Sequence, residues 1–359
     1  MNPRLLSETE PWPLTPDPLL SGRRLDRDAA NRLWDVDLLA LGAAADGVRR
    51  CLNPEPRVTY VIDRNINYTN ICVSGCRFCA FYRAPGAEGG YVLSWDELAA
   101  KLQELKDHGG SGVLLQGGLN PELGPDYYQK LIGCIRATGL AVHGFSPPEV
   151  VYWADQWSLT IREVIRLLID AGLSSIPGGG AEILVDRVRQ KISPNKCDSA
   201  RWLEVMATAH RLGLKTSATM MFGHLETREE RIEHMLKLRE LQDETGGFTA
   251  FIPWTFQPGG TNLGGETLGA VEYLRTLAIS RLVLDNVPHL QVSWVTQGGK
   301  VAQIALKFGA DDFGSTMLEE NVVAATGVGF RLPREEIEGL IRQAGYAPRV
   351  RDHRYKLFG

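Results

Sequence analysis

Short apolar runs and amphipathic stretches alternate along this chain from about residue 58 onward, and that alternation restricts the folds open to it. Val58-Thr-Tyr-Val-Ile-Asp63 is a β-branched, aromatic strand. Ser94-Trp-Asp-Glu97 is a capping box that opens a helix to about His108. Residues 112–116 read as strand, 126–137 as helix and 140–145 as strand again. Thr160 caps a helix with Ile161, Val164, Ile165 and Leu168 on one face, and Asp198 opens another. Residues 215–224 are a buried strand, Thr227 caps a helix to about Thr245, and 248–256 are strand. Helix over 267–287, strand over 290–295 and a strand-poor remainder complete the pattern. Strand then helix, repeated every ~35 residues, joins neighbouring strands by right-handed crossovers and builds a parallel sheet. The expected fold class is α/β: a (β/α) TIM-type barrel with a six-unit core extended towards eight. A doubly wound open sheet has the same periodicity, so the pattern leaves it as the alternative.

Upstream, residues 1–24 are rich in Pro and polar groups and read as a loose arm. Residues 25–52 read as helix, with Leu33, Leu38, Leu39, Leu41 and Val48 as its apolar face and Pro54 and Pro56 ending it. The expected organisation is an arm and helix over 1–57, a barrel core over 58–260 and a C-terminal part over 261–359 that completes or covers the barrel. The chain is 44% hydrophobic and 23% charged, enough to bury a large core without staples. A net charge of −4 argues against nucleic acid or an anionic membrane as the main partner. The N-terminus carries acids and no apolar signal region, and no stretch reaches transmembrane length, so a cytoplasmic protein is expected.

Half of the six cysteines lie within eight residues, as Cys72, Cys76 and Cys79. The others, Cys51, Cys134 and Cys197, are scattered, which is no disulfide framework and fits a reducing compartment. Three thiolates with no obvious fourth suit an iron–sulfur cluster of four irons that keeps one iron open to a small molecule. Structural zinc sites and simple ferredoxins close all four positions. The residues alone also allow three core cysteines, or zinc or an electron-transfer cluster completed by another cysteine or a histidine.

In a parallel barrel, ligands meet the C-terminal ends of the strands. Those ends carry the cysteine loop; Gln116-Gly117-Gly118; His143, Ser146 and Glu149; Gly178-Gly179-Gly180 with Glu182; His224 and Glu226; Trp254 and Gln257. Gly117 and Gly118 serve either a tight turn or a close approach of backbone to ligand. The Gly178–Gly180 run lacks the features of a phosphate loop. His143 suits a satisfied core histidine as well as a site. Glu182 is costly to bury without a partner. Asp311, Asp312, Glu319 and Glu320 read as solvated loop charges.

The run Asp63-Arg-Asn-Ile-Asn-Tyr-Thr-Asn-Ile-Cys-Val-Ser-Gly-Cys-Arg-Phe-Cys-Ala-Phe-Tyr-Arg83 resembles the radical S-adenosylmethionine (SAM) group that contains the futalosine-pathway enzymes of menaquinone biosynthesis and the deazaflavin ring synthase. His143-Gly-Phe-Ser-Pro-Pro-Glu149, Ile176 to Leu184, Thr219 to His224, Phe251 to Pro258 and Phe308 to Asn321 extend the resemblance over nearly the whole chain after residue 25. Among the siblings it is most similar to the cyclase that acts on dehypoxanthine futalosine. The Asp63-Arg-Asn-Ile-Asn67 and Phe313-Gly-Ser-Thr-Met317 runs favour it over the aminofutalosine and deazaflavin synthases.

The resemblance implies a 4Fe-4S cluster on Cys72, Cys76 and Cys79, and SAM beside it. It implies that the backbone at Phe78 reads the adenine and that Gln116, Gly117 and Gly118 stand where the superfamily binds the SAM amino group, with Leu119 replacing the usual acid. Ser146 and Glu182 would lie near the SAM carboxylate and ribose. A 5′-deoxyadenosyl radical would take the ribose C4′ hydrogen, and the carbon radical would add to the benzoate ring. Loss of an electron and a proton would follow, with His143, Glu149 or His224 as proton acceptor. A reducing donor such as flavodoxin or ferredoxin is implied as partner.

Overall fold

The computed structural model describes residues 23–358 and a two-residue strand, Arg4–Leu5, that pairs in parallel with Arg23–Arg24. Most of the arm expected over 1–24 lies outside the described residues. The expected helix over 25–52 is two helices, α1 (Arg27–Arg32) and α2 (Leu38–Leu52), parted by a 3₁₀ turn at Leu33–Asp35. The break falls where Asp37 accepts hydrogen bonds from the backbone N–H groups of Leu39 and Ala40, starting a new helix. Leu39 is consequently off the apolar face and 74% exposed.

The strand expected at 58–63 runs on as β1 (Arg57–Val61) and β2 (Asp63–Asn67), two halves of one nearly continuous strand. The others are β3 (Gly112–Gln116), β4 (Ala141–Gly144), β5 (Ser175–Ile176), β6 (Lys215–Phe222), β7 (Phe248–Thr255) and β8 (His289–Leu290). With β2 they form a parallel sheet in the order β8-β7-β6-β5-β4-β3-β2. β9 (Asp312–Ser315) closes it. On one side Val292 N donates to Asp312 O at 3.0 Å and Asp311 N to Leu290 O at 3.1 Å. On the other, Thr59 N donates to Asp311 O at 3.1 Å and Thr316 N to Val61 O at 2.9 Å. Counting β1 and β2 as one position, the ring has eight strands, and the open-sheet alternative falls away. β10 (Ala347–Arg351) is additional and pairs in parallel along all of β1.

Helices α3 (Trp95–Asp107), α6 (Ile161–Ala171), α8 (Ser199–Arg211) and α9 (Arg228–Thr245) match their expected capping signals, and α4 (Pro125–Ala137) matches the helix expected over 126–137 but has no side-chain cap. In that numbering α5 (Pro147–Trp157) and the short α7 (Asp186–Ile192) fall outside the sequence expectation. α5 begins with two prolines, which a first helical turn tolerates because its N–H groups have no intrahelical partner. α10 (Ala270–Val283) is buried on almost all sides because it lies between β7 and α2. The strand expected over 290–295 stops at Leu290, and Trp294 opens α11 (Trp294–Ala305). The stretch expected to be strand-poor holds β9, α12 (Arg334–Gln343) and β10.

β2 fixes the polarity of the barrel. Asp63 and Asn65 face the interior, whereas Arg64 turns outward to hydrogen-bond Glu104 on α3 at 2.5 Å and Glu319 at 2.7 Å. Outside the ring, Val113, Leu115 and Val142 pack under Leu98, Leu102 and Leu131 of the helices, all buried.

Candidate active site

The cysteine loop leaves β2 and lies on the end of β3. Val73 N donates to Leu119 O at 3.0 Å, and Gly118 N to Thr69 O at 2.9 Å. A Cβ at Gly118 would stand 2.1 Å from Ile71 O, and one at Gly117 would stand 2.4 Å from the Tyr68 ring. Both glycines are therefore required by the passage of the chain's own loop. Ser74 Oγ lies 3.3 Å from Cys72 Sγ and 3.1 Å from Cys76 Sγ, gathering two thiols about one hydroxyl. Burial pushes the Cys76 and Cys79 thiols up, and the Lys196 ammonium works against it.

Lys196 is what the strand ends did not disclose. Its Nζ donates to Glu182 Oε1 at 2.9 Å and sits 5.1 Å above the Phe78 ring. Burial alone would raise the Glu182 carboxyl, but the ammonium outweighs it and holds the group below its ordinary value. The neighbouring residues clamp the loop: Asn195 Nδ2 donates to Ser74 O at 3.2 Å, and Arg77 N to Ile192 O at 2.8 Å. Glu182 holds a left-handed φ of 43°, a strained conformation for a residue with a side chain.

A cavity of about 270 Å³ occupies the barrel interior. It runs from Glu182, Gly179, Gly180 and Glu320 to Arg351, His353 and Tyr355, with Asp63, Asn65, Gln116, His143 and Trp254 between. Barrel interiors are usually filled by layers of apolar side chains; this one is partly open and sets charged and polar groups among an apolar lining.

The residues expected at the site divide. Gln116, His143 and Glu182 line the cavity. Ser146 and Glu149 form the capping box of α5. Glu149 is buried and accepts from Ser146 N at 2.6 Å, Ser146 Oγ at 2.6 Å, Tyr68 OH at 2.7 Å and Gly117 N at 3.2 Å. Desolvation raises its carboxyl above the ordinary value despite those donors. The His224 ring is turned into the protein, between Met221 O at 3.0 Å and Leu225 N at 2.7 Å. His143 Nδ1 lies 2.7 Å from Ser175 Oγ, and burial lowers the imidazole to about 3.

The reading of 311–312 as solvated charges does not hold, whereas Glu319 and Glu320 are half-buried loop residues. Asp311 and Asp312 are buried and paired with Arg281 at 3.0 Å and Arg351 at 2.5 Å. Glu319 pairs with Arg64 and Lys101, and Glu320 accepts from the N–H groups of Val322, Val323 and Ala324. Charges as deep as Asp311 and Asp312 persist only when paired.

Three thiols of one loop over a barrel mouth, with a buried ammonium beside them, define the class as a cluster-dependent barrel enzyme. The radical SAM superfamily model matches residues 66–238, and that of the CofH/MqnC C-terminal region matches 245–358. The chain is 45% identical over 342 residues to the cyclic dehypoxanthine futalosine synthase of Halalkalibacterium halodurans, covering 94% of this chain and 92% of the relative. The synthase of Streptomyces coelicolor is also 45% identical, with 93% and 86% covered. A 5-amino-6-(D-ribitylamino)uracil–L-tyrosine 4-hydroxyphenyl transferase of Archaeoglobus fulgidus is 41% identical, with 87% and 92% covered. Among solved structures, methylornithine synthase superposes with a TM-score of 0.75 at 18% identity, covering 94% of this chain and 97% of its own. This chain belongs to the radical SAM family that the futalosine synthases and these transferases share. Its cofactors are a 4Fe-4S cluster and SAM; the loop offers three thiolate donors, two of them gathered at the Ser74 hydroxyl, and no fourth cysteine, a donor set that suits a cluster with one open iron.

Proposed function

We propose that this chain cyclises dehypoxanthine futalosine in menaquinone biosynthesis, with Cys72, Cys76 and Cys79 holding the cluster. The observation that carries this reading is a convergence. Asp63 and Asn65 of one run, and Ser315 and Met317 of the other, line the same cavity, and the Ser315 hydroxyl donates to Asp63. The two stretches that favour the cyclase over its siblings are those a substrate inside the barrel would touch.

When bound, cluster and SAM supply the 5′-deoxyadenosyl radical that removes the C4′ hydrogen. The chain's own groups do the rest. The backbone at Phe78 would hold the adenine of SAM, and carbonyl oxygens at Gln116, Gly117 and Gly118 would hold its amino group, since the Gly117 and Gly118 N–H groups are already bonded to Glu149 and Thr69. Glu182, aimed into the cavity beside Lys196, and Ser146 stand for its ribose and carboxylate. The closed ring of strands keeps water and stray hydrogen donors from the carbon radical. Of His143, Glu149 and His224, His143 alone lines the cavity and is the proton acceptor of the last step. Among the described residues no helix is long and apolar enough to cross a membrane. A cytoplasmic enzyme reduced by a flavodoxin or ferredoxin completes the reading.

Anaerobic reconstitution, followed by reductant, SAM and dehypoxanthine futalosine, tests it by mass spectrometry. Free 5′-deoxyadenosine with a cyclised product two hydrogens lighter than the substrate is the expected result. Turnover of tyrosine with 5-amino-6-(D-ribitylamino)uracil instead would move the chain to the transferase branch.

A further inference from the structure

The last strand carries polar groups into a floor that apolar side chains would fill with less desolvation. Beyond β10 the chain turns inward, and His353, only 9% exposed, lines the cavity. Its ring stacks on that of His143, with centroids 4.7 Å apart and planes 18° apart. Its Nε2 lies 3.4 Å from Asp63 Oδ2 and has no hydrogen-bond partner. Leaving such a buried nitrogen unpaired carries a desolvation penalty that structure alone does not call for.

We infer that His353 and Asp63 are positioning residues that prepare His143 to accept the proton released as the product ring becomes aromatic. The inference rests on the proposed cyclase reaction. After the C4′ radical has bonded to the benzoate ring, the attacked carbon still carries its hydrogen. The adduct gives one electron to a one-electron acceptor of the iron–sulfur class. The C–H bond then breaks, its electron pair restores the aromatic ring, and the proton passes to His143 Nε2, the nitrogen left once Nδ1 is held by Ser175. The imidazolium is stacked on neutral His353, whose Nε2 lies 3.4 Å from the Asp63 carboxylate. Burial keeps both imidazoles neutral beforehand, His143 at about 3 and His353 well below its ordinary value. Arg351 also faces this group and opposes its protonation, but Asp312 neutralises it through bonds at 2.5 and 2.7 Å. Asp63 is flanked by Ser315, Arg351 and Asp312, and burial raises it to about 6.

The test uses the reconstituted full-length protein, dehypoxanthine futalosine deuterated at C4′, and the variants His353→Phe, which keeps the stack, and Asp63→Asn, which keeps the shape. The readout is deuterium released from C4′ per cyclised product. Wild type should release about one. Both variants should release at least ~10-fold more, because abstraction continues while the adduct fails to lose its proton. In wild type the ratio should rise as pH falls through about 6 and Asp63 becomes protonated; in Asp63→Asn it should be high and flat. A ratio of one in both variants overturns the inference. So does a parallel fall of release and product, which a merely structural floor predicts. Absence of cyclised product from wild type is a different signature and overturns the substrate reading itself.

Discussion

The two ends of this barrel are built by opposite means. At the mouth, the three thiols lie within eight residues of one another and are seated by backbone contacts and the two glycines that follow β3. At the floor, groups from both ends of the chain meet: Thr59, Asp312 and Arg351 through buried hydrogen bonds and an ion pair, with Asp63 and His353 buried beside them. The mouth has to admit small molecules and therefore sits on a loop, with Arg77 and Arg83 exposed. The floor admits nothing, so it can hold charge in depth, where each group depends on its partner. Chemistry local in sequence is placed at the mouth, and the groups that define the cavity's depth are assembled only by closure of the ring.

Cys76→Ala should have the largest effect and break the mouth alone. We expect loss of the cluster and of 5′-deoxyadenosine formation below detection, with thermal unfolding close to wild type. Iron content and product analysis check this; a variant that kept a full cluster and turned over would remove the assignment of the thiols. Arg351→Met should break the floor alone. It leaves Asp312 buried and unpaired, which costs about 3–5 kcal/mol. Urea unfolding should register that loss, and an unchanged midpoint would mean that β10 does not hold the ring closed.

The same contrast governs what the sequence discloses. The alternation of strand and helix, the capping boxes at Ser94, Thr160 and Thr227 and the cysteine spacing are local signals, and the barrel and its mouth follow from them. β5 and β8 are only two residues each, too short to show periodicity. α5 was hidden because its Ser146 and Glu149 read as strand-end polar groups while serving as its capping box. Lys196 carries no motif; the one hint was that Glu182 needs a partner. Asp63, Asn65 and Asn67 did leave a signal, since polar residues at every second position mark a strand with a polar inner face. Asp311, Asp312, Arg351 and His353 left none, because a buried ion pair between distant segments looks like two surface charges until the chain is folded.

Asp63→Asn also sharpens the comparison through stability. The folded carboxyl sits at about 6 against an ordinary 3.8. Between those values the native state keeps a proton that the unfolded chain has lost, so this group withdraws stability as pH rises from about 4 to about 6, by on the order of 3 kcal/mol in all. His143 and His353, lowered in the fold, act in the opposite direction. The difference between wild type and Asp63→Asn isolates the carboxyl. The variant should gain on wild type across that window and run parallel to it above. A constant difference from pH 4 upward would mean that Asp63 is ionised in the folded floor.

The smallest effect should come from Gly118→Ala at the mouth. A methyl group 2.1 Å from Ile71 O and 2.9 Å from Cys72 Cβ has to displace the cysteine loop, and such overpacking costs about 1–3 kcal/mol. Because the loop bears on the barrel's end and is not part of its ring, the strain should fall on cluster loading more than on global unfolding. Gly133→Ala on α4, where nothing lies within 4 Å, is the matched control and should be neutral or stabilising by about 0.5–1 kcal/mol. Iron per chain set against the unfolding midpoint distinguishes the cases. Low iron with a near-normal midpoint in Gly118→Ala makes the mouth an appliance seated on a self-sufficient barrel. A midpoint that falls as far as in Arg351→Met would make the loop part of what closes the ring.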